Sequence, residues 1–278
     1  MLNSFRKLYF LRFLFINPIY FFKKIFFKLY FYISKINYEE NKFINEQNNF
    51  FKENNLNRQE GLKIFSNLAA EFQILKNETS SEHQILLSSI SKNLGIKNIL
   101  EIGTYNGINS FMLSKLFSSA DIDTIDLPDD DYTFKNTYGR DNSKKLEEII
   151  NIRNNIMNAN NKINFIQKNS VNLINEEKKY DLIWIDGAHG YPVVTMDIIN
   201  SVNLLSNNGI ILCDDVWIDA PPAQDKIYHS LASYETLIQL KENNIIDFTL
   251  FYKRLDIENN SFRYLRKYIA YIKKYENN

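Results

Sequence analysis

Of five short apolar runs in this chain, four carry the acids that could do chemistry. Ile122-Asp123-Thr124-Ile125 closes on Asp126, Tyr180-Asp181-Leu182-Ile183-Trp184-Ile185 on Asp186, and Gly209-Ile210-Ile211-Leu212-Cys213 on Asp214, with Asp215 next. Lys97-Asn98-Ile99-Leu100-Glu101-Ile102 places Glu101 just before Gly103, and Ile163-Asn164-Phe165-Ile166 leads to Lys168-Asn169-Ser170. His189 stands three residues past Asp186, in Trp184-Ile185-Asp186-Gly187-Ala188-His189-Gly190-Tyr191. Imidazole titrates near neutrality, which suits a general base.

Each apolar run reads as a strand. Helical stretches at 108–118, 142–160 and 191–205 separate them, and a further helix is expected from Thr79-Ser80-Ser81-Glu82 to about Asn93. Strands alternating with helices predict an α/β fold with a mostly parallel sheet covered on both faces. Ligands of such sheets lie beyond the carboxyl ends of the strands, so the acids form a rim where a ligand would sit.

The first strand's turn is Glu101-Ile102-Gly103-Thr104-Tyr105-Asn106-Gly107. It lacks the G-x-G-x-x-G spacing of dinucleotide-binding turns. It resembles the first motif of class I S-adenosylmethionine-dependent methyltransferases. The I-D-G-x-H-x-Y pattern from Ile185 to Tyr191 is similar to the bacterial methyltransferase family often called family 24, relatives of the catechol-type O-methyltransferases. Asn208 to Trp217 resembles the G-G-x-I-x-x-D-[ND]-x-x-W stretch of the catechol-type enzymes. The resemblance covers about residues 79–218 and implies a Rossmann-like class I methyltransferase sheet with S-adenosylmethionine as cofactor. It assigns Glu101, Gly103, Tyr105, Gly107, Asn109, Asp126, Asn169 and Ser170 to the cofactor: Glu101 helps hold the methionine end, Asp126 takes the ribose hydroxyls, and Asn169 bonds the adenine amino group through its carbonyl oxygen.

The catechol-type enzymes bind Mg²⁺ through residues matching Asp186, Asp214 and Asp215, with Asn rather than Asp at the last. Mg²⁺ favours hard oxygen ligands, lowers a bound hydroxyl's pKa, and would relieve the mutual repulsion of three carboxylates. The resemblance therefore implies a metal-assisted O-methyltransferase with Asp186 and His189 at the catalytic centre, His189 standing where those enzymes carry a lysine base. The acceptor that the resemblance implies is a hydroxyl on a small molecule or glycan.

Composition bounds the alternatives. The 278 residues hold 33 basic and 33 acidic side chains, which argues against bulk electrostatic binding of nucleic acid. The lone cysteine, Cys213, excludes an internal disulfide framework and a cysteine-based zinc site. Residues 1–38 carry seven basic side chains and no acid, with 14 of the 40 aromatics, and form a basic aromatic segment. A helix from about Ile19 to Lys35 would be amphipathic and lie at a membrane surface, or pack on the core or a second subunit. A spanning helix is not expected: the longest uncharged run, Phe13–Phe22, is ten residues and contains Pro18. The chain then divides into a helical lead-in (39–78), a methyltransferase domain (79–254) and a C-terminal helix (255–278). Tyr264, Tyr268, Tyr271 and Tyr275 form one stripe of that helix. Pro221-Pro222 suggests a stiff loop over the acceptor, and His83 or His229 could line the pocket. A cytoplasmic location, peripheral at the inner face of the membrane, fits this reading. Two other functions compete: a hydroxylase-like or other nucleotide-cofactor enzyme on the same frame, and a non-catalytic membrane-associated binding protein.

Overall fold

The computed structural model describes residues 17–275 apart from 37, 79, 80, 94 and 221–229. The expected proline loop at Pro221-Pro222, His229, and the cap at Thr79-Ser80 lie outside the described residues. Among the described residues, four α-helices precede the sheet: α1 (Pro18–Ile36), α2 (Glu40–Glu53), α3 (Arg58–Glu71) and α4 (Glu82–Asn93). The chain then alternates β1 (Asn98–Ile102), α5 (Ile108–Leu116), β2 (Asp121–Asp126), α6 (Tyr132–Asn136), α7 (Ser143–Asn158), β3 (Ile163–Gln167), β4 (Tyr180–Ile185), α8 (Val193–Leu204) and β5 (Leu205–Val216). It ends with α9 (Ala232–Glu242), β6 (Ile246–Tyr252), α10 (Ile257–Asn260) and β7 (Tyr268–Lys274).

The seven strands lie in the order β3-β2-β1-β4-β5-β7-β6. Strands β1 to β5 are parallel; β7 runs antiparallel between β5 and β6. Ile102 pairs with Ile125 on one side and Ile185 on the other, so the carboxyl ends of β1, β2 and β4 finish level. That alignment makes one rim of Gly103, Asp126 and Asp186.

Strand alternation sorts side chains onto two faces. Ile99, Leu182, Trp184 and Leu212 pack with α3, α4 and α5 residues such as Phe65, Leu86 and Leu113 on one face. Leu100, Ile102, Ile183, Ile185 and Ile211 pack with Val194, Ile198 and Leu237 of α8 and α9 on the other. Each such Ile or Leu, buried fully, contributes roughly 1.5–3 kcal/mol. Two-sided burial explains why these strands read as continuous apolar runs.

The C-terminal helix expected over 255–278 is not formed. Its central part is β7, and Tyr268 and Tyr271 face opposite sides of the sheet rather than one stripe. Tyr268-Ile269-Ala270-Tyr271-Ile272 is an unbroken apolar run, all five residues buried, which is the pattern of a central strand. The tyrosine spacing coincided with a helical period. Tyr264 falls in a 3-10 turn, Arg263–Leu265.

Candidate active site

The turn after β1 owes its shape to glycine. Gly103 has φ +103°, and a Cβ there would stand 2.2 Å from the carbonyl oxygen of Asp186. The residue is glycine because the backbone at the end of β4 presses against it. Gly107, at φ +76°, caps α5.

Glu101 belongs to the same face as Ile99, under α5, and is fully buried. One carboxylate oxygen accepts from Asn109 Nδ2 at 2.8 Å; the other accepts from Thr124 Oγ1 at 2.5 Å and from the Ser110 hydroxyl. Burial raises its pKa, against the pull of these donors. The acid assigned to the cofactor's methionine end thus points into the protein and positions Asn109. The amide of Asn109 spends its N–H on Glu101, leaving Oδ1 buried without a partner. Gln84 of α4, 2% exposed, likewise has an orphaned Oε1. Both residues line a cavity of about 120 Å³ with His83, Gly103, Tyr105 and Asp186. Orphaned buried acceptors are costly, so a cationic donor is the natural occupant. Sequence reasoning missed Gln84; the only available signal was its place on the helix before β1.

Asp126 ends β2 half-buried. Its two oxygens accept from the backbone N–H of Tyr105 and of Leu127, each at 2.8 Å, which joins this carboxylate to the glycine turn. Burial raises its pKa, opposed by those donors. Asn169 is exposed at the end of β3, and its Oδ1 accepts from Val171 N at 3.0 Å. The oxygen expected to read adenine therefore already caps the 3-10 turn Ser170–Asn175, and Ser170 is half-buried beside it.

Asp186, Asp214, Asp215 and His189 lie on the same rim, with two lysines among them. The β5–β7 register shifts between Cys213 and Val216, and Asp215 sits at φ +53°. Asp and Asn tolerate that left-handed conformation best among larger residues, which accounts for either type at this position. Lys253, just past β6, donates to Asp214 Oδ2 at 2.5 Å and Asp215 Oδ1 at 2.6 Å; Lys267, just before β7, donates to Asp215 Oδ2 at 2.5 Å. Burial would raise the Asp215 pKa, but the two lysines outweigh it and hold the group below the usual carboxylate range. Lys253 is itself held above the ordinary lysine range, because Asp214 and Asp215 overcome its desolvation. Nothing local to their own segments marked these lysines: they reach the rim only because β7 is antiparallel.

Asp186 keeps 39% of its side-chain exposure, into the cleft. The close packing of protein around it raises its pKa well above the ordinary value, Asp214 adds to this, and Lys253 opposes it. His189 Nε2 lies 3.5 Å from Asp186 Oδ1 and 3.9 Å from Asp215 Oδ2. Burial lowers the His189 pKa, against the pull of Asp215 and Asp214, so the ring is neutral at pH 7. His83 also reaches the cleft, its ring 5.2 Å from that of Trp184. Among the described residues, no group of three His, Cys, Asp or Glu side chains is arranged to hold a metal ion.

This strand order, with one antiparallel strand and an acid-lined glycine turn at the rim, defines the class I methyltransferase fold. Residues 100–216 match the family described as a methyltransferase domain, family 24. In structure it is similar to the S-adenosylhomocysteine-bound Podospora anserina methyltransferase PaMTH1, at TM-score 0.50 and 20% identity, covering 77% of this chain and 87% of that one. The O-methyltransferase TomG of Streptomyces achromogenes, in complex with S-adenosylmethionine, matches at TM-score 0.45 and 12% identity over 68% of this chain and 78% of that one. No curated protein matches the chain.

Proposed function

We propose that the chain methylates a hydroxyl oxygen on a small molecule or glycan, with His189 as general base. The observation that carries this reading is the neutral imidazole of His189 beside the open carboxylate of Asp186, at the mouth of a cavity lined by the orphaned oxygens of Gln84 and Asn109. S-adenosylmethionine, when bound, supplies a methyl group made electrophilic by its sulfonium. Gln84 Oε1, Asn109 Oδ1 and Asp186 offer acceptors to the methionine ammonium, and Asp126 offers its remaining lone pairs to the ribose hydroxyls. Asn169 and Ser170 border the adenine end. With the cofactor bound, its methyl group would pass from sulfur, which would keep the S–C electron pair, to the acceptor oxygen, and His189 Nε2 would take the hydroxyl proton. The test is His189→Ala, followed by S-adenosylhomocysteine release over a panel of catechols and hydroxylated sugars. The rate should fall by ~10²–10⁴-fold with cofactor affinity unchanged, and an unchanged rate would remove the base role.

The Mg²⁺ that the resemblance implies does not fit this donor set. Asp214 and Asp215 already hold the ammonium of Lys253. A dication about 4 Å from that ammonium would be repelled by roughly 8 kcal/mol at an effective dielectric near 20.

A peripheral membrane contact, on the cytoplasmic side, is a second part of the proposal. Helix α1 leaves Ile19 at 72%, Phe22 at 61% and Phe26 at 66% exposure, while Tyr30 packs against Phe262 with centroids 4.9 Å apart. An apolar patch on a segment bearing only basic charge suits an anionic lipid surface. No described helix is long and apolar enough to cross a membrane.

A further inference from the structure

The acid cluster at the end of β5 is built around a cation that the chain itself supplies. Lys253 Nζ lies 2.5 Å from Asp214 Oδ2 and 2.6 Å from Asp215 Oδ1, and the residue is 9% exposed. Its backbone is fixed at both ends: its N–H donates to Lys267 O at 2.9 Å, and its carbonyl accepts from Glu82 N at 2.8 Å. Glu82 in turn holds Arg58 through two hydrogen bonds of 2.7 Å. The lysine is therefore clamped between the sheet and the start of α4 rather than hanging from a free loop. Lys267 takes the remaining Asp215 oxygen and lies over the Trp217 ring, 5.3 Å from its centroid. Two ammonium groups thus offset two of the three carboxylates that a divalent ion would need.

We infer that the Lys253 ammonium stands in place of the divalent cation of the catechol-type enzymes, so that this acid cluster takes no metal and the methyl transfer proceeds without one. The inference rests on the methyltransferase reading for its meaning, but not for its test. Hard divalent ions bind where unpaired carboxylate oxygens converge. Here one oxygen of Asp214 and both of Asp215 are committed to lysine ammonium groups, leaving Asp186 and the inward Asp214 Oδ1, and Lys253 cannot swing away without leaving its own charge buried and unpaired. Removing the ammonium should open the cluster to metal; moving the charge to another cation of the same sign should not.

Mn²⁺ serves as the probe, its free sextet read by electron paramagnetic resonance in a titration of the full-length protein. The wild-type chain should show no Mn²⁺ binding that depends on Asp214, so that wild type and Asp214→Asn give the same titration. Lys253→Met should gain one site, at least about tenfold tighter than any wild-type binding, and Lys253→Arg should behave as wild type. A wild-type site for one Mn²⁺ that is lost in Asp214→Asn would overturn the inference. So would a folded Lys253→Met protein, by circular dichroism, that binds Mn²⁺ no better than wild type. If Lys253→Met does not fold, the comparison of wild type with Asp214→Asn still decides. Calorimetry with S-adenosylmethionine on the same preparations tests the methyltransferase reading separately, because neither Mn²⁺ result depends on cofactor binding.

Discussion

Replacing Gly103 by alanine should unfold the junction between β1 and β4 before it touches any ligand. The added Cβ would lie 2.2 Å from the Asp186 carbonyl oxygen, 2.6 Å from its carbon and 2.9 Å from Gly187 N. All three are backbone atoms, so no side chain can swing aside. Holding a residue with a side chain at φ +103° costs about 1–3 kcal/mol. Relieving the clash means moving the end of β4 by roughly 1 Å, which strains the Asp186 N–H bond to Ile102 O, now 2.8 Å; losing it costs about 1 kcal/mol more. The sum, about 2–4 kcal/mol, is a large fraction of the 5–15 kcal/mol typical of a domain. With a urea m-value of about 2–3 kcal/mol/M, the midpoint should fall by about 0.7–2 M in equilibrium unfolding followed by far-ultraviolet circular dichroism. A Gly103→Ala protein with the wild-type midpoint but weakened S-adenosylmethionine binding would refute this reasoning. It would mean that the glycine makes room for the cofactor and not for Asp186.

Other consequences are as direct. Asp126→Ala removes the acceptor for the Tyr105 and Leu127 amides as well as the carboxylate for ribose, so calorimetry should show at least about a hundredfold loss of S-adenosylmethionine affinity; an unchanged affinity would dismiss Asp126 from the site. Burial lowers the His83 pKa from 6.5 to about 4. The unfolded chain therefore takes up a proton below pH 6.5 that the folded chain refuses, so the stabilising contribution is whole above 6.5 and is lost as pH falls toward 4. The stability gap between wild type and His83→Gln should shrink by roughly 3 kcal/mol over that window, and a gap independent of pH would contradict the buried neutral ring. Deleting residues 1–38 should abolish sedimentation with anionic vesicles at low salt and leave cofactor binding intact. If neither form binds vesicles, and the deletion instead lowers the oligomeric state, α1 is a subunit contact.

Much of the parallel core was legible because its strands are buried on both faces and punctuated by Gly, Asp and Asn, so each run stands out from the helices between. The acids at strand ends were legible for the same reason. The burial of Glu101 was not legible because it lies one residue before the end of β1: alternation sends Ile102 to one face and Glu101 to the other, beneath α5. The C-terminal strand was hidden by four tyrosines whose spacing matched a helix, although Tyr268–Ile272 is apolar without a break. Lys253 and Lys267 could not be read at all, since each stands beside Asp215 only after β7 inserts antiparallel between β5 and β6.

The central claim is that the cleft between β1, β2 and β4 binds S-adenosylmethionine through chemistry specific to these residues. Isothermal titration of the full-length chain with S-adenosylmethionine tests it most directly. The account predicts one equivalent bound, with an affinity weakened at least about tenfold, or 1.4 kcal/mol, in both Asp126→Ala and Asn109→Ala. Absence of binding by natively folded wild-type protein, or binding that neither substitution disturbs, would contradict it.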